Sequence, residues 1–324
     1  MTVRARAFWV TRPGSGELRE HELGAPGAGE ALVRTVFSAV SRGTEALVFH
    51  GRVPASEHER MRCPHQEGSF PGPVKYGYAS VGRVLEGSSE LRGRSVFCLY
   101  PHQDLYVVPE SALVPLPAGV PEARAVLAAN LETALNALWD ARPLLGDRVS
   151  VVGGGVVGCL AAYLASRVHG AEVELVDVRE ERAELAAALG FGFALPARAR
   201  AERDIVLHAS ASAEGLSTAL GLAARDAEIV ELSWFGDREV SLPLGEAFHQ
   251  RRLTLRSSQV GGVSPNARPR FDHRRRLELA LSLCSDPALD RLVSGESQFE
   301  ALPELMPRLA DAKSGALCHR LKYS

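Results

Sequence analysis

The sequence predicts an α/β protein in two parts, a β-barrel-like domain and a doubly wound parallel sheet. Three observations carry this. The chain up to about Pro121 is strand-like and rich in turns. Beyond it, short apolar strands alternate with helical segments, the pattern of a parallel sheet. Between Val149 and Asp177 a buried strand runs through a glycine turn into a helix and on to a second strand.

In the first part, Ala31-Leu32-Val33-Arg34-Thr35-Val36 and Ala79-Ser80-Val81-Gly82-Arg83-Val84-Leu85 have β-type composition, and Pro13-Gly14-Ser15-Gly16 and Pro71-Gly72-Pro73 mark loops. A helix is expected from Glu122 to Trp139, with Pro121 at its start and an acid in its first turn. After the glycine turn, Arg179 to Leu189 reads as a helix that Gly190 ends. Asp204–His208 reads as a strand, Gly215–Ala224 as a helix, Glu228–Leu232 as a strand and Arg252–Arg256 as another. The region from Arg274 is mostly helical, and Cys318 to Tyr323 is strand-like enough to return to another sheet.

The central stretch carries the chemistry. Gly153-Gly154-Gly155-Val156-Val157-Gly158 follows the strand Val149–Val152. Gly153 permits a tight turn, Gly155 lets the backbone approach a pyrophosphate, and Gly158 lets the helix pack on the strand. The N–H groups of the first helical turn, at Val156 and Val157, and the positive end of the helix dipole then face an anion. Asp177 lies about 20 residues beyond, where a carboxylate accepts hydrogen bonds from an adenosine ribose. The alternative reading is an ordinary buried βαβ unit. Asp177 repels a 2′-phosphate and so favours NAD. Arg179 and Arg182 follow it and could offset that repulsion, which leaves NADP open. His208 and Ser210, after the fourth strand, and Trp234, after the fifth, are further candidates for cofactor contact. Trp234 and Phe235 either wall the nicotinamide or an apolar substrate, or fill a domain interface.

Bulk properties bound the rest. The 324 residues suit two domains, and 46% of them are hydrophobic, enough for a sizeable interior. The net charge of −2 argues against a nucleic-acid-coating protein. No signal-peptide core and no long apolar run is present, so neither export nor a membrane is expected. Five cysteines without a CxxC pair fit a reduced, cytoplasmic protein.

Nearly the whole chain resembles the medium-chain dehydrogenase/reductase family, the alcohol-dehydrogenase-like proteins. The residues that carry the likeness are Ser41-Arg42-Gly43-Thr44-Glu45, Gly77-Tyr78-Ala79-Ser80-Val81-Gly82, Gly146-Asp147-Arg148-Val149, the glycine turn and the register of later strands. The resemblance implies a GroES-like catalytic domain at 1–124, a Rossmann cofactor-binding domain at 125–260, and a return to the catalytic domain at 261–324. It also implies an active site in the cleft between domains, a small-molecule substrate and a homodimer. Within the family the likeness is to a zinc-lacking branch, distantly the bacteriochlorophyllide hydroxyethyl dehydrogenase type.

The departures from the family pattern point to zinc-free chemistry. Where zinc-dependent members place their ligands, this chain has Arg42, Tyr78 and, near the interdomain helix, Asn130, so no catalytic zinc is expected. The four-cysteine lobe of a structural zinc is also missing. His58, Cys63 and His65 lie close in sequence but read as exposed loop residues without ligand geometry.

Without a metal, hydrogen-bond donors must stabilise a developing alkoxide. By the resemblance, Thr44 matches the hydroxyl that relays the proton, and Tyr78 faces the cleft as a candidate general acid. Tyr78 is alternatively a packed barrel aromatic, and Thr44 a turn residue. A tyrosine in this role needs a nearby cation to lower its pKa. Lys75 can supply it only if Pro73-Val74-Lys75 is loop, since strand residues three apart point to opposite faces. Arg42 is the other option. His102 either lines the pocket or lies on the surface. Glu132, on an apolar helix, either touches substrate or is paired. The basic run Arg268 to Arg276 reads as a solvated loop and helix start, or as a site for an anion. The expected activity is zinc-independent, NAD(P)-dependent interconversion of an alcohol and a carbonyl. An enoyl or quinone reductase, or a nucleotide-binding protein without turnover, remains as an alternative.

Overall fold

The structure, a computed structural model, describes residues 3–324 and bears out the α/β class. The chain forms two compact units. The first runs up to Ala129 and resumes at Leu281–Ser324; the second is Asn130–Ala280.

The first unit contains two sheets. Val3–Arg12 and Ser15–Leu23 form an antiparallel hairpin, closed by a turn in which Gly14 takes φ +78°. This hairpin continues through Val74–Lys75 to Glu67–Gly68. The larger sheet is ordered Val293–Gln298, Cys318–Lys322, Glu30–Ser41, Ser80–Glu86, Ser95–Cys98 and Val114–Pro115, with Leu105–Pro109 also paired to Glu30–Ser41. Alternate residues of these strands, Ala31, Val33, Val84, Val96 and Val108, pack round Tyr100 and Tyr106, whose rings stack at 4.0 Å. The expected return of Cys318 to a sheet is present: Leu321 pairs with Ser38 and Cys318 with Ser41. Two elements without a local signal are also here, the strand Val293–Gln298 and the helix Arg42–Phe49.

The second unit is built on six parallel strands. In spatial order they are Gly192–Ala194, Glu172–Val176, Arg148–Val152, Arg203–His208, Ala223–Glu231 and Thr254–Ser257. Numbered along the chain, that is the 3-2-1-4-5-6 order of a Rossmann fold. Val149, Val151, Leu175, Val206, Leu207, Ile229 and Val230 are all buried, because helices cover both faces. Helix Val156–Ala165 follows the first strand, and Arg182–Leu189 ends on Gly190 at φ +90°, as expected. The next helix, Ala213–Leu222, starts at Ser212, whose Oγ accepts from the Gly215 N–H at 3.0 Å.

One expected helix is two. The segment taken as continuous from Glu122 to Trp139 forms Glu122–Ala125 and Ala128–Ala141. Between them the Leu127 N–H reaches back only three residues, to Arg124 O at 3.0 Å. The Arg124 guanidinium holds the first piece in place, bonding Asp290 at 2.7 and 2.6 Å and the carbonyls of Cys284 and Ser285. Among the described residues, no helix is long and apolar enough to cross a membrane.

Candidate active site and nucleotide-binding turn

The glycine turn lies at the carboxyl edge of the parallel sheet, where open α/β sheets bind ligands. Its three glycines answer three different constraints. Gly153 sits at φ +115°, and a Cβ there would lie 2.5 Å from Ser210 N. A Cβ on Gly158 would lie 1.9 Å from Gly153 O, so helix and strand could not close together. Gly155 caps the helix Val156–Ala165, and a Cβ on it would meet nothing within 4 Å. That open space before the helix N-terminus suits a pyrophosphate.

Asp177, just past the second strand, is held towards the turn. Its Oδ2 accepts from the Gly154 N–H at 2.5 Å and its Oδ1 from the Arg179 N–H at 2.8 Å. Arg182 lies against the same turn, with its Cγ 3.1 Å from where a Gly154 Cβ would be. A dinucleotide therefore fits these residues.

The other candidates divide. His208 is fully buried, with Nδ1 2.6 Å from Glu231 Oε2 and Nε2 2.6 Å from Ser210 Oγ. It braces the loop that Gly153 packs against, and both ring nitrogens have protein partners. Trp234 is half-buried in the loop after the fifth strand, beside Phe235, which stacks on His208 with ring centroids 6.2 Å apart.

In the first unit, the structure brings Thr44 and Tyr78 together. Ser41 and Thr44 stand at the start of helix Arg42–Phe49, and both side chains are near enough to act on the Tyr78 hydroxyl. Burial foremost, and then the Glu45 carboxylate, push the Tyr78 pKa well above a free phenol's, with Ser41 and Thr44 opposing weakly. The largest influences on it are burial, Glu45, Ser41, Thr44 and Cys63. The expected assistance from Lys75 is corrected. Val74–Lys75 is strand, not loop, and the Lys75 ammonium points instead to Glu67, to Gln103 Oε1 at 2.7 Å and to the Tyr100 ring. One Arg42 nitrogen lies 3.4 Å from Asp311 O.

His102 neither lines an open pocket nor lies on the surface. It is 1% exposed, with Nε2 2.8 Å from Glu45 Oε2 and Nδ1 2.8 Å from Ser38 Oγ. Glu45, also buried, accepts from the Ser41 N–H with its other oxygen at 2.7 Å. Glu45 and Ser38 carried no local signal. They become functional candidates only through contacts far apart in the chain.

The residues at the metal-ligand positions do not suit zinc. An arginine offers no lone pair, and the Tyr78 hydroxyl is held protonated by burial. Among the described residues, no three His, Cys, Asp or Glu side chains cluster as a metal site. His58, Cys63 and His65 diverge. His58 Nε2 lies 3.1 Å from Val53 O, and His65 stacks on Tyr100. Cys63 is buried rather than exposed, and burial pushes its thiol up to about 12. Glu132 is paired, with Arg276 Nε 3.0 Å from its Oε1.

No family model matches the chain. It is 28% identical to D-guloside 3-dehydrogenase of Escherichia coli K12, over 66% of this chain and 69% of that protein. Solved structures share the fold across nearly the full length. L-Idonate 5-dehydrogenase of Escherichia coli K-12 superposes with a TM-score of 0.81 at 19% identity, over 99% of each chain. A short chain alcohol dehydrogenase from Escherichia coli CFT073, complexed with NADH, superposes with a TM-score of 0.77 at 16% identity, over 98% of this chain and 99% of the other. The chain thus shares the fold of these dehydrogenases and is similar in sequence to one dehydrogenase over about two thirds of its length.

Proposed function

We propose that the protein interconverts an alcohol and a carbonyl with NAD as hydride carrier and without zinc. The observation that carries this is the Tyr78 hydroxyl, which lies beside Thr44 and Ser41 at the position where, by the resemblance, a metal-binding member of the family would hold a ligand. When bound, the nicotinamide supplies or accepts the hydride. In the reducing direction the substrate oxygen gains negative charge as the hydride reaches carbon, and the Tyr78 O–H donates its proton there. The raised pKa keeps the phenol protonated at neutral pH, so it can donate in the reducing direction, and makes it a weaker donor and a slower proton acceptor in reverse than a tyrosine lowered by a cation. Thr44 and Ser41 orient the hydroxyl and stabilise the phenolate left behind. Asp177 supports NAD over NADP, since its carboxylate repels a 2′-phosphate.

The relative that acts on D-gulosides makes sugar-type secondary alcohols and their ketones the first substrates to try. The test is a nicotinamide absorbance screen across sugar alcohols, simple ketones and enones, followed by Tyr78→Phe on the best substrate. A carbonyl substrate is expected, with kcat lowered by roughly 10²–10⁴-fold in the variant. Full turnover by Tyr78→Phe, or stoichiometric zinc whose removal abolishes activity, overturns the reading. Activity confined to enones would favour the reductase alternative.

A further inference from the structure

Beneath Tyr78 lies a buried chain of polar groups that ends far away in sequence. Tyr323 Oη is 2.9 Å from Ser38 Oγ, Ser38 Oγ is 2.8 Å from His102 Nδ1, and His102 Nε2 is 2.8 Å from Glu45 Oε2. All four side chains are buried, with at most 7% exposed. The direction of the chain follows from its last member. A carboxylate only accepts, so His102 Nε2 carries a proton, and in the neutral imidazole Nδ1 is then the acceptor. Ser38 then donates to Nδ1 and receives the Tyr323 O–H. The remaining Glu45 oxygen takes the Ser41 N–H, which closes the first turn of helix Arg42–Phe49 in the manner of a capping box. That turn carries Ser41 and Thr44, the two groups on the Tyr78 hydroxyl.

We propose that Tyr323, Ser38, His102 and Glu45 form a one-way hydrogen-bond chain that fixes the Ser41–Thr44 turn and so aims the Tyr78 hydroxyl. They are positioning residues and touch neither substrate nor cofactor. The inference rests on Tyr78 as the proton donor for its kinetic consequence, but the polarity of the chain stands apart from it. Gly77 belongs to the same device. It lies at φ +134°, and a Cβ on it would be 3.1 Å from His102 Cδ2, so only glycine lets the imidazole pass under the segment leading to Tyr78.

The experiment is nitrogen-15 NMR of the histidine rings in the intact protein, with His102→Gln used to assign the resonance, together with steady-state kinetics. The wild type is expected to show His102 as the Nε2–H tautomer. In Glu45→Gln the amide N–H₂ donates to Nε2, the proton moves to Nδ1, and the chain reverses. The expected kinetic result is a kcat reduced roughly 10–100-fold with KM within about twofold, part of the full general-acid factor. Tyr323→Phe, which removes one oxygen at the far end and spares the helix, is expected to lower kcat several-fold. An Nδ1–H tautomer in the wild type, or wild-type kcat in both Glu45→Gln and Tyr323→Phe, overturns the proposal. If Tyr78→Phe keeps full turnover while the tautomer switches as described, the proton-donor reading fails and the chain polarity survives.

Discussion

A Cβ on Gly77 would lie 3.1 Å from His102 Cδ2 and 3.3 Å from the His102 backbone nitrogen, at a φ that side chains rarely adopt. Gly77→Ala is therefore strained twice, once by its backbone and once by the ring it displaces. Chemical denaturation is expected to show a loss of about 1–3 kcal/mol. Unchanged stability would mean that His102 yields easily, and that its place is less fixed than its two 2.8 Å contacts indicate.

The glycines of the nucleotide turn should separate folding from binding. Gly155→Ala adds a methyl to open space at a permissive φ of −75°, so stability should stay within about 0.5 kcal/mol. NAD affinity should nevertheless fall at least tenfold, because the methyl occupies the pyrophosphate's approach. Gly158→Ala meets Gly153 O at 1.9 Å and should lose stability first. Calorimetric titration of NAD beside a denaturation curve distinguishes the two. Equal losses of stability in both variants would refute the separation.

On the proposed reading, Asp177 sets the cofactor. Asp177→Ser removes the charge that opposes a 2′-phosphate and leaves Arg179 and Arg182 nearby. The ratio of kcat/KM for NADP over NAD should rise by an order of magnitude or more. A ratio that stays put would assign the choice to other residues.

The ion pair Arg276–Glu132 is buried, and Arg276 also bonds Asn136 Oδ1 at 2.9 Å and Val260 O at 2.7 Å. Burial raises the Glu132 pKa above its ordinary 4.5 despite the arginine. A carboxylate raised in the folded state favours folding most below the unfolded value, and that contribution is lost as pH rises through the folded one. Arg276→Met leaves the carboxylate without its cation and should cost about 3–5 kcal/mol at neutral pH. The deficit should shrink on acidification, as the pH falls through the raised Glu132 pKa, which loss of the arginine raises further. Urea midpoints across pH report this, and a deficit independent of pH would show that lost packing dominates.

The nucleotide half of the molecule was legible because its signals are local. Strand, glycines, helix and Asp177 follow one another along the chain, and each constrains the backbone within a few residues. The gap at Val126–Leu127 was not legible. Only the β-branched Val126 lowers helix propensity there, too weak a signal to mark a break, and the contact of Arg124 with Asp290 lies far along the chain. Helix Arg42–Phe49 lacks a side-chain cap from Ser41, and its start is closed by Glu45 instead. Thr44 and Tyr78 could be singled out because they occupy family positions. Lys75 was misjudged for want of its partners, and His102 could be noticed but not oriented. Its role depends on Ser38, Glu45 and Tyr323, which no sequence window holds together.

The final strand, Cys318–Lys322, lies between Glu30–Ser41 and Val293–Gln298 and brings Tyr323 to Ser38. On the ribosome, the larger sheet of the first unit keeps a vacant place until these residues leave the exit tunnel. By then Asn130–Ala280, with all six of its parallel strands, has been synthesised in full. The nucleotide-binding unit, encoded in the middle, can thus close while the unit that starts the chain still waits to be completed. During synthesis, the glycine turn can form before Tyr323 is able to reach Ser38.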